Sequence, residues 1–259
     1  MMFYLYLFLI GISVGSFINV VIDRLPFGKP LTGRSVCDYC NRRLSWKEII
    51  PIVSFIFLKG KSFCCRKSIS FYYPLVELIS GLVLPFIFYF YQGELIWRNL
   101  ILSLIVYTLI AIFFTDVKYM IIPDELQVIL LIFSFFYILN LSFSGNFLVY
   151  GVRLFFLSIF KGLIVALPIA SIFYITKGKG IGFADVKLAF NIGFLFGVKR
   201  GFLSLYIAFL LGGIVAFVLL FAKKKKLKSK IPFGPFLVIS ILLFLFFPKQ
   251  ILFLIRKII

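Results

Sequence analysis

Histidine is absent from this chain, and acids are scarce. Nine aspartates and glutamates stand among 259 residues, against 28 lysines and arginines. Without histidine there are no His general bases, no Ser-His or Cys-His nucleophile pairs and no His-ligated metals. Carboxylate chemistry, a Ser-Lys pair or a cysteine-only metal site remain. No serine and lysine stand out as an isolated pair. There is no glycine-rich dinucleotide fingerprint, and no internal repeat is visible. The apolar segment from Met2 to Ile22 has no basic residue before it and no small-residue cleavage site. A secretory signal begins with positive charge. The segment is therefore expected to be retained as a first span, with its N-terminus outside.

Apolar residues are what the chain has in excess. They make up 63% of it, with a mean hydropathy of +1.13, far beyond a soluble domain. Several runs reach the roughly 20 residues that span a bilayer. The expected fold class is all-α: a polytopic integral membrane protein of about eight transmembrane helices with a small cytoplasmic, cysteine-containing loop domain. Spans are predicted near 2–22, 72–92, 99–115, 126–143, 155–176, 186–198, 201–222 and 231–247. The expected division is a first helix (1–22), a loop domain (23–71) and a membrane core of about seven helices (72–259). Lys161 interrupts the fifth span and is expected to snorkel or to face a polar interior.

Basic residues set the orientation. Segment 23–71 carries ten of them: Arg24, Lys29, Arg34, Arg42, Arg43, Lys47, Lys59, Lys61, Arg66 and Lys67. The run KKKKLKSK at 223–230 adds six lysines, read as a solvated topological anchor. With an even number of spans both fall on one side, which the positive-inside rule makes cytoplasmic. The formal charge of +19 thus has its default partner in anionic lipid headgroups rather than in nucleic acid.

An acid beside an apolar helix is costly and usually has a task. Asp116 closes the third predicted span and Asp185 opens the sixth, so this topology puts both at the cytoplasmic boundary. Like charges a few ångströms apart cannot both ionise cheaply, and a paired site shares one proton. That is the apparatus of an aspartyl protease. The competing reading makes each aspartate a helix cap. It suits Asp185, at a helix start, but not Asp116, where the helix dipole disfavours an anion. Asp124, with Gln127 three residues on, resembles a capping box and reads as the N-cap of the fourth span. Glu77, inside the second span, is expected to pair with a basic residue or to help bind substrate.

Six strings, taken together, resemble the type IV prepilin peptidases, membrane aspartyl proteases of the GxGD type. They are GSFINVVIDRLP from Gly15 to Pro26, the cysteine segment from Cys37, ISFYYPLVELISG from Ile69, DVKYMIIPD from Asp116 to Asp124, GIGFADVKL from Gly180, and IPFGPFL from Ile231. They run in the family's order over most of the chain. The resemblance implies that Asp116 and Asp185 are the catalytic pair. It implies that the substrates are prepilins or pseudopilins, cut after a short basic leader at the cytoplasmic face of the bacterial cytoplasmic membrane. It further implies S-adenosylmethionine-dependent N-methylation of the new N-terminus, an activity of many members that no residue here locates.

Two departures from the family pattern stand out. The family's GxGD reads Gly182-Phe183-Ala184-Asp185. Alanine keeps close approach but penalises positive φ, so the position is expected to need smallness rather than left-handed geometry. The family's two C-x-x-C pairs read Cys37-Asp38-Tyr39-Cys40 and Ser62-Phe63-Cys64-Cys65. Cys37, Cys40 and Cys65, with Cys64 or water as the fourth ligand, form a candidate structural zinc site; reduced cytosolic thiols are the alternative. Two other functional readings stay open: a catalytically impaired assembly scaffold, suggested by Ala184, and an ion-coupled transporter with intramembrane acids.

Overall fold

The computed structural model describes residues 2–92, 96–141, 147–222, 231–251 and 253. The lysine run at 223–230 lies outside them. Apolar runs in lipid must satisfy every backbone group internally, and the chain accordingly folds as helices: α1 (Met2–Arg24), α2 (Trp46–Ile49), α3 (Val53–Phe57), α4 (Tyr72–Phe90), α5 (Ile96–Tyr119), α6 (Asp124–Leu141), α7 (Phe147–Thr176), α8 (Phe183–Phe221) and α9 (Gly234–Phe246). Among the described residues five segments are long and apolar enough to cross a membrane: Met2–Phe27, Tyr72–Phe90, Ile96–Tyr119, Gly151–Thr176 and Phe183–Phe221. Internal contacts divide the chain into two units, Met1–Phe114 and Thr115–Ile259.

In the first unit α1 packs against α4 through small residues. A Cβ added to Gly11 would stand 2.7 Å from the Ser80 carbonyl oxygen, and one on Gly15 would stand 2.8 Å from Glu77 Cα. Such contacts let backbones approach closely. Pro26 sits in a 3-10 turn, Leu25–Phe27, that ends α1. Beyond it the Arg24 guanidinium donates to the carbonyls of Pro30 (3.1 Å) and Thr32 (2.9 Å), gathering the start of the loop segment. At α2 Glu48 accepts from the Ser45 N–H at 2.8 Å and pairs with Arg42 at 2.9 Å. Burial pushes the Glu48 carboxyl up, but the Ser45 N–H and hydroxyl and Arg42 together outweigh it and hold it below the usual range.

Glu77 has a different partner from the basic residue expected of it. Its carboxylate accepts the N–H of Ile52 at 2.7 Å. Ile52 holds φ 61° and ψ −49°, strained for a β-branched residue. The acid thus secures a difficult turn in the loop segment from within α4.

In the second unit α8 packs on α6, α7 and α9. At 39 residues a straight α8 would run about 59 Å, twice a bilayer's hydrocarbon core. It is not straight. Gly197, at φ 77° and ψ −179°, breaks the helical backbone. A Cβ on Gly201 would lie 3.4 Å from Gly193 Cα, although eight residues of helix span about 12 Å. The chain therefore doubles back at Gly197, and the two limbs touch through glycine. Val165 of α7 wedges against both, meeting the Cβ positions of Gly193 and Gly201 at 2.6 and 2.8 Å. Half-buried Lys161, one turn away, faces this bend: its Cδ would lie 3.7 Å from a Cβ on Gly197.

Candidate active site

Asp116 and Asp185 both belong to the second unit. The third predicted span ended at residue 115, but α5 runs on to Tyr119, so Asp116 lies in the last helical turn rather than after it. Its carbonyl accepts the N–H of Met120, which turns the chain with φ 55°. Only 6% of Asp116 is exposed and 8% of Asp185. The two are near enough for the charge of Asp185 to act on Asp116, which like charges in a low-dielectric setting do strongly.

Asp185 stands in the first turn of α8, whose N-cap is Gly182. Its Oδ2 accepts the Gly182 N–H at 3.1 Å. Asp185 thus serves the start of the helix, from its third position rather than as the N-cap residue itself. Ala184 has helical backbone within that turn and is not among the positive-φ residues. The position asks for no left-handed geometry, so alanine in place of glycine carries no conformational penalty.

Asp116 is approached by a third element. The Gly234 N–H, at the start of α9, hydrogen-bonds its carboxylate. A Cβ on Gly234 would stand 2.6 Å from Asp116 Oδ2 and 2.9 Å from Ile122 Cδ1. Gly234 was not singled out from the sequence; the signal lay in the IPFGPFL string, where it stands between Pro232 and Pro235. Asp124 and Gln127, read as a capping box, both reach across to α8. Asp124 pairs with Lys187 of α8 at 2.7 Å, and the Gln127 amide donates to the Ala184 carbonyl at 3.1 Å. Both residues join α6 to α8 instead.

The cysteines form a second cluster, in the first unit. Segments 36–43 and 61–68 repeat one local backbone pattern, in the register in which the two C-x-x-C strings were aligned. Bridges join Val36 to Arg43 and Lys61 to Ser68. The N–H of Cys37 donates to Arg42 and that of Ser62 to Lys67; Asn41 returns to Cys37 and Arg66 to Ser62. Asn41 and Arg66 take matching φ of 55° and 54°. By this register Ser62 stands where Cys37 does, Cys65 matches Cys40, and Cys64 matches Tyr39.

All four Sγ atoms nevertheless lie within 4.8 Å of one another. Cys37 to Cys65 is 3.8 Å and Cys40 to Cys64 is 3.1 Å. Tetrahedral Zn–S bonds of about 2.3 Å imply S···S separations of roughly 3.8 Å, so the four thiols fit a metal with small movements. The N–H groups of Tyr39 and Cys40 lower the Cys37 thiol to about 6, ready to ligate as thiolate. Hydrogen bonding to Cys40 pushes Cys64 up to about 12, while the Ser62 hydroxyl lowers Cys65.

Residues 9–91 match the family described as the bacterial peptidase A24 N-terminal domain, and residues 103–217 match the type IV leader peptidase family. The chain is similar to proteins named prepilin leader peptidase/N-methyltransferase. One, from Vibrio cholerae serotype O1, is 30% identical over 94% of this chain and 96% of that protein. One from Pectobacterium carotovorum is 30% identical over 89% and 88%. One from Bacillus subtilis is 30% identical over 88% of each. No solved structure gives a significant match.

Proposed function

From the premise that this chain belongs to the type IV leader peptidase family, we propose that it is a prepilin leader peptidase and N-methyltransferase. It cuts prepilins or pseudopilins at the cytoplasmic face of the bacterial cytoplasmic membrane. What supports the reading is that Asp116 and Asp185, two of only nine acids, are both buried in the second unit and near enough for the charge of one to act on the other.

The substrate's apolar helix docks among the spans, with its basic leader in the cytoplasm. The two carboxylates share one proton. One directs water at the scissile carbonyl, and its protonated partner polarises that carbonyl. The dyad titrates as a unit, so base and acid are roles of the pair. The Gly234 N–H holds Asp116 from one side, and the Gly182 N–H holds one oxygen of Asp185 from the other. The helical Ala184 removes the reason for an impaired scaffold, and no observation favours a transporter.

The finer topology is part of the proposal. Eight spans follow if the two limbs of α8 count separately, with the N-terminus outside and segments 23–71 and 223–230 in the cytoplasm. The functional division is then 1–22, 23–71 and 72–259. Cys37, Cys40, Cys65 and Cys64 would hold a structural zinc that stiffens the loop domain. S-adenosylmethionine would supply the methyl group. Anionic lipid offsets the loop domain's net charge of +7, left by ten basic residues against Asp23, Asp38 and Glu48, which otherwise repels a basic leader.

The test is cleavage of a prepilin by purified protein in detergent. Asp116→Asn and Asp185→Asn abolish it. Asp124→Asn keeps most of it, because an exposed ion pair such as Asp124–Lys187 is worth about 0–1 kcal/mol. Cleavage that survives Asp116→Asn refutes the assignment.

A further inference from the structure

We propose that Gln127 is a positioning residue for Asp185, holding the peptide that presents its carboxylate. The inference rests on the dyad reading above and extends it to a residue that touches no reacting atom. Gln127 lies one turn into α6 and is 4% exposed. Its Nε2 crosses to α8 and donates to the carbonyl of Ala184 at 3.1 Å. That carbonyl belongs to the peptide joining Ala184 to Asp185. Fixing it fixes the direction in which the Asp185 side chain leaves the helix. The Gly182 N–H holds the carboxylate end of the same residue. Asp185 is thus gripped at its backbone by Gln127 and at its side chain by Gly182.

Three further observations support the assignment. Asn191, 3% exposed and on the next turns of α8, donates to the Gln127 carbonyl at 3.4 Å and to the Lys187 carbonyl at 3.2 Å. The Asp124–Lys187 pair closes the same two helices at their ends. Third, both amides are only half satisfied. Gln127 Oε1 and Asn191 Oδ1 are buried with no hydrogen-bond partner among the described residues. A purely structural contact between two apolar helices is better made by leucine or methionine, which bury no orphaned acceptor. With its oxygen unmet, the gain from this buried amide lies in its nitrogen, and among the described residues that nitrogen meets the carbonyl next to Asp185.

The experiment compares wild type, Gln127→Ala, Gln127→Met and Asp185→Asn in steady-state cleavage of a prepilin, with thermal unfolding measured on each. Gln127→Met keeps the length of the side chain and removes the donor without adding a charge, so it decides the matter should Gln127→Ala fail to fold. The expected result is a fall in kcat of about ten- to hundredfold for both Gln127 variants, the size that follows from a misplacement on the order of 1 Å. KM stays within about twofold and the melting temperature of Gln127→Met is unchanged. Wild-type kcat in a folded Gln127→Met overturns the proposal. So does a loss of kcat that only tracks a lowered melting temperature. The dyad reading fails separately, if Asp185→Asn still cleaves, and the proposal falls with it.

Discussion

Replacing Gly234 by alanine tests the site at its tightest point. The added methyl would stand 2.6 Å from Asp116 Oδ2, where ordinary contact starts at 3.4 Å. The carboxylate oxygen must therefore retreat by about 0.8 Å, or α9 must shift as far. The oxygen is the free end of a side chain, so the fold absorbs the change cheaply. The chemistry does not, since a misplacement near 1 Å at a reacting group costs roughly a hundredfold. The expected outcome for Gly234→Ala is a loss of kcat/KM of about 30- to 100-fold, or roughly 2–3 kcal/mol of transition-state stabilisation, at a nearly unchanged melting temperature. Gly213→Ala in α8 is the matched control, because a Cβ there meets nothing within 4 Å. The assay is initial-rate cleavage of a prepilin by both variants in the same detergent. Wild-type kcat/KM in Gly234→Ala would show that α9 does not press on Asp116, and the described site would be wrong.

Three other outcomes are expected. Purified protein carries about one zinc per chain, and Cys37→Ser or Cys65→Ser abolishes it; metal content measured by mass spectrometry that survives Cys37→Ser excludes the cluster as the binding site. Raising the fraction of anionic lipid in proteoliposomes lowers the apparent KM for prepilin by offsetting the loop domain's charge; a KM indifferent to lipid composition removes that role. Gly193→Ala drives a methyl to within 2.6 Å of Val165 Cβ and 2.8 Å of the Lys161 carbonyl oxygen, so thermal unfolding should report a loss of about 1–3 kcal/mol. An unaltered melting temperature would mean that the α8 bend does not pack on α7.

The membrane helices were legible because lipid leaves a polar backbone no alternative, and hydropathy alone marks where that rule applies. Their ends were less legible. The third span was placed to end at residue 115, whereas α5 continues through Asp116 to Tyr119. Hydropathy stops at the first charge, but a helix stops where its hydrogen bonds do. The sixth and seventh spans were read as separate around Lys199 and Arg200. They are two helices, as read, but the break between them is at Gly197 rather than at the charged pair. The signal was present as glycines at 193, 197 and 201: the middle one takes positive φ, and the outer two let the limbs touch.

Within the site, the same physics decides what could be read. A carboxylate among apolar residues betrays itself by its cost, which is why Asp116 and Asp185 stood out. Gly234 and Gln127 have no such cost to display, because their roles appear only once distant segments meet. Gln127 was read locally, as half of a capping box with Asp124, and each residue instead reaches more than fifty positions along the chain, to Ala184 and Lys187. The cysteine loops were legible only through the family's C-x-x-C pattern. Their repeat is written in backbone hydrogen bonds and in the φ of Asn41 and Arg66, while their side chains share only Cys40 with Cys65. Ala184 shows the converse error, a departure that looked costly in sequence and is not. A GxGD glycine suggests a left-handed turn only if the residue lies before the helix. Here α8 starts at Phe183, so residue 184 is already helical, and what α6 needs from it is a carbonyl, which alanine supplies as well as glycine does.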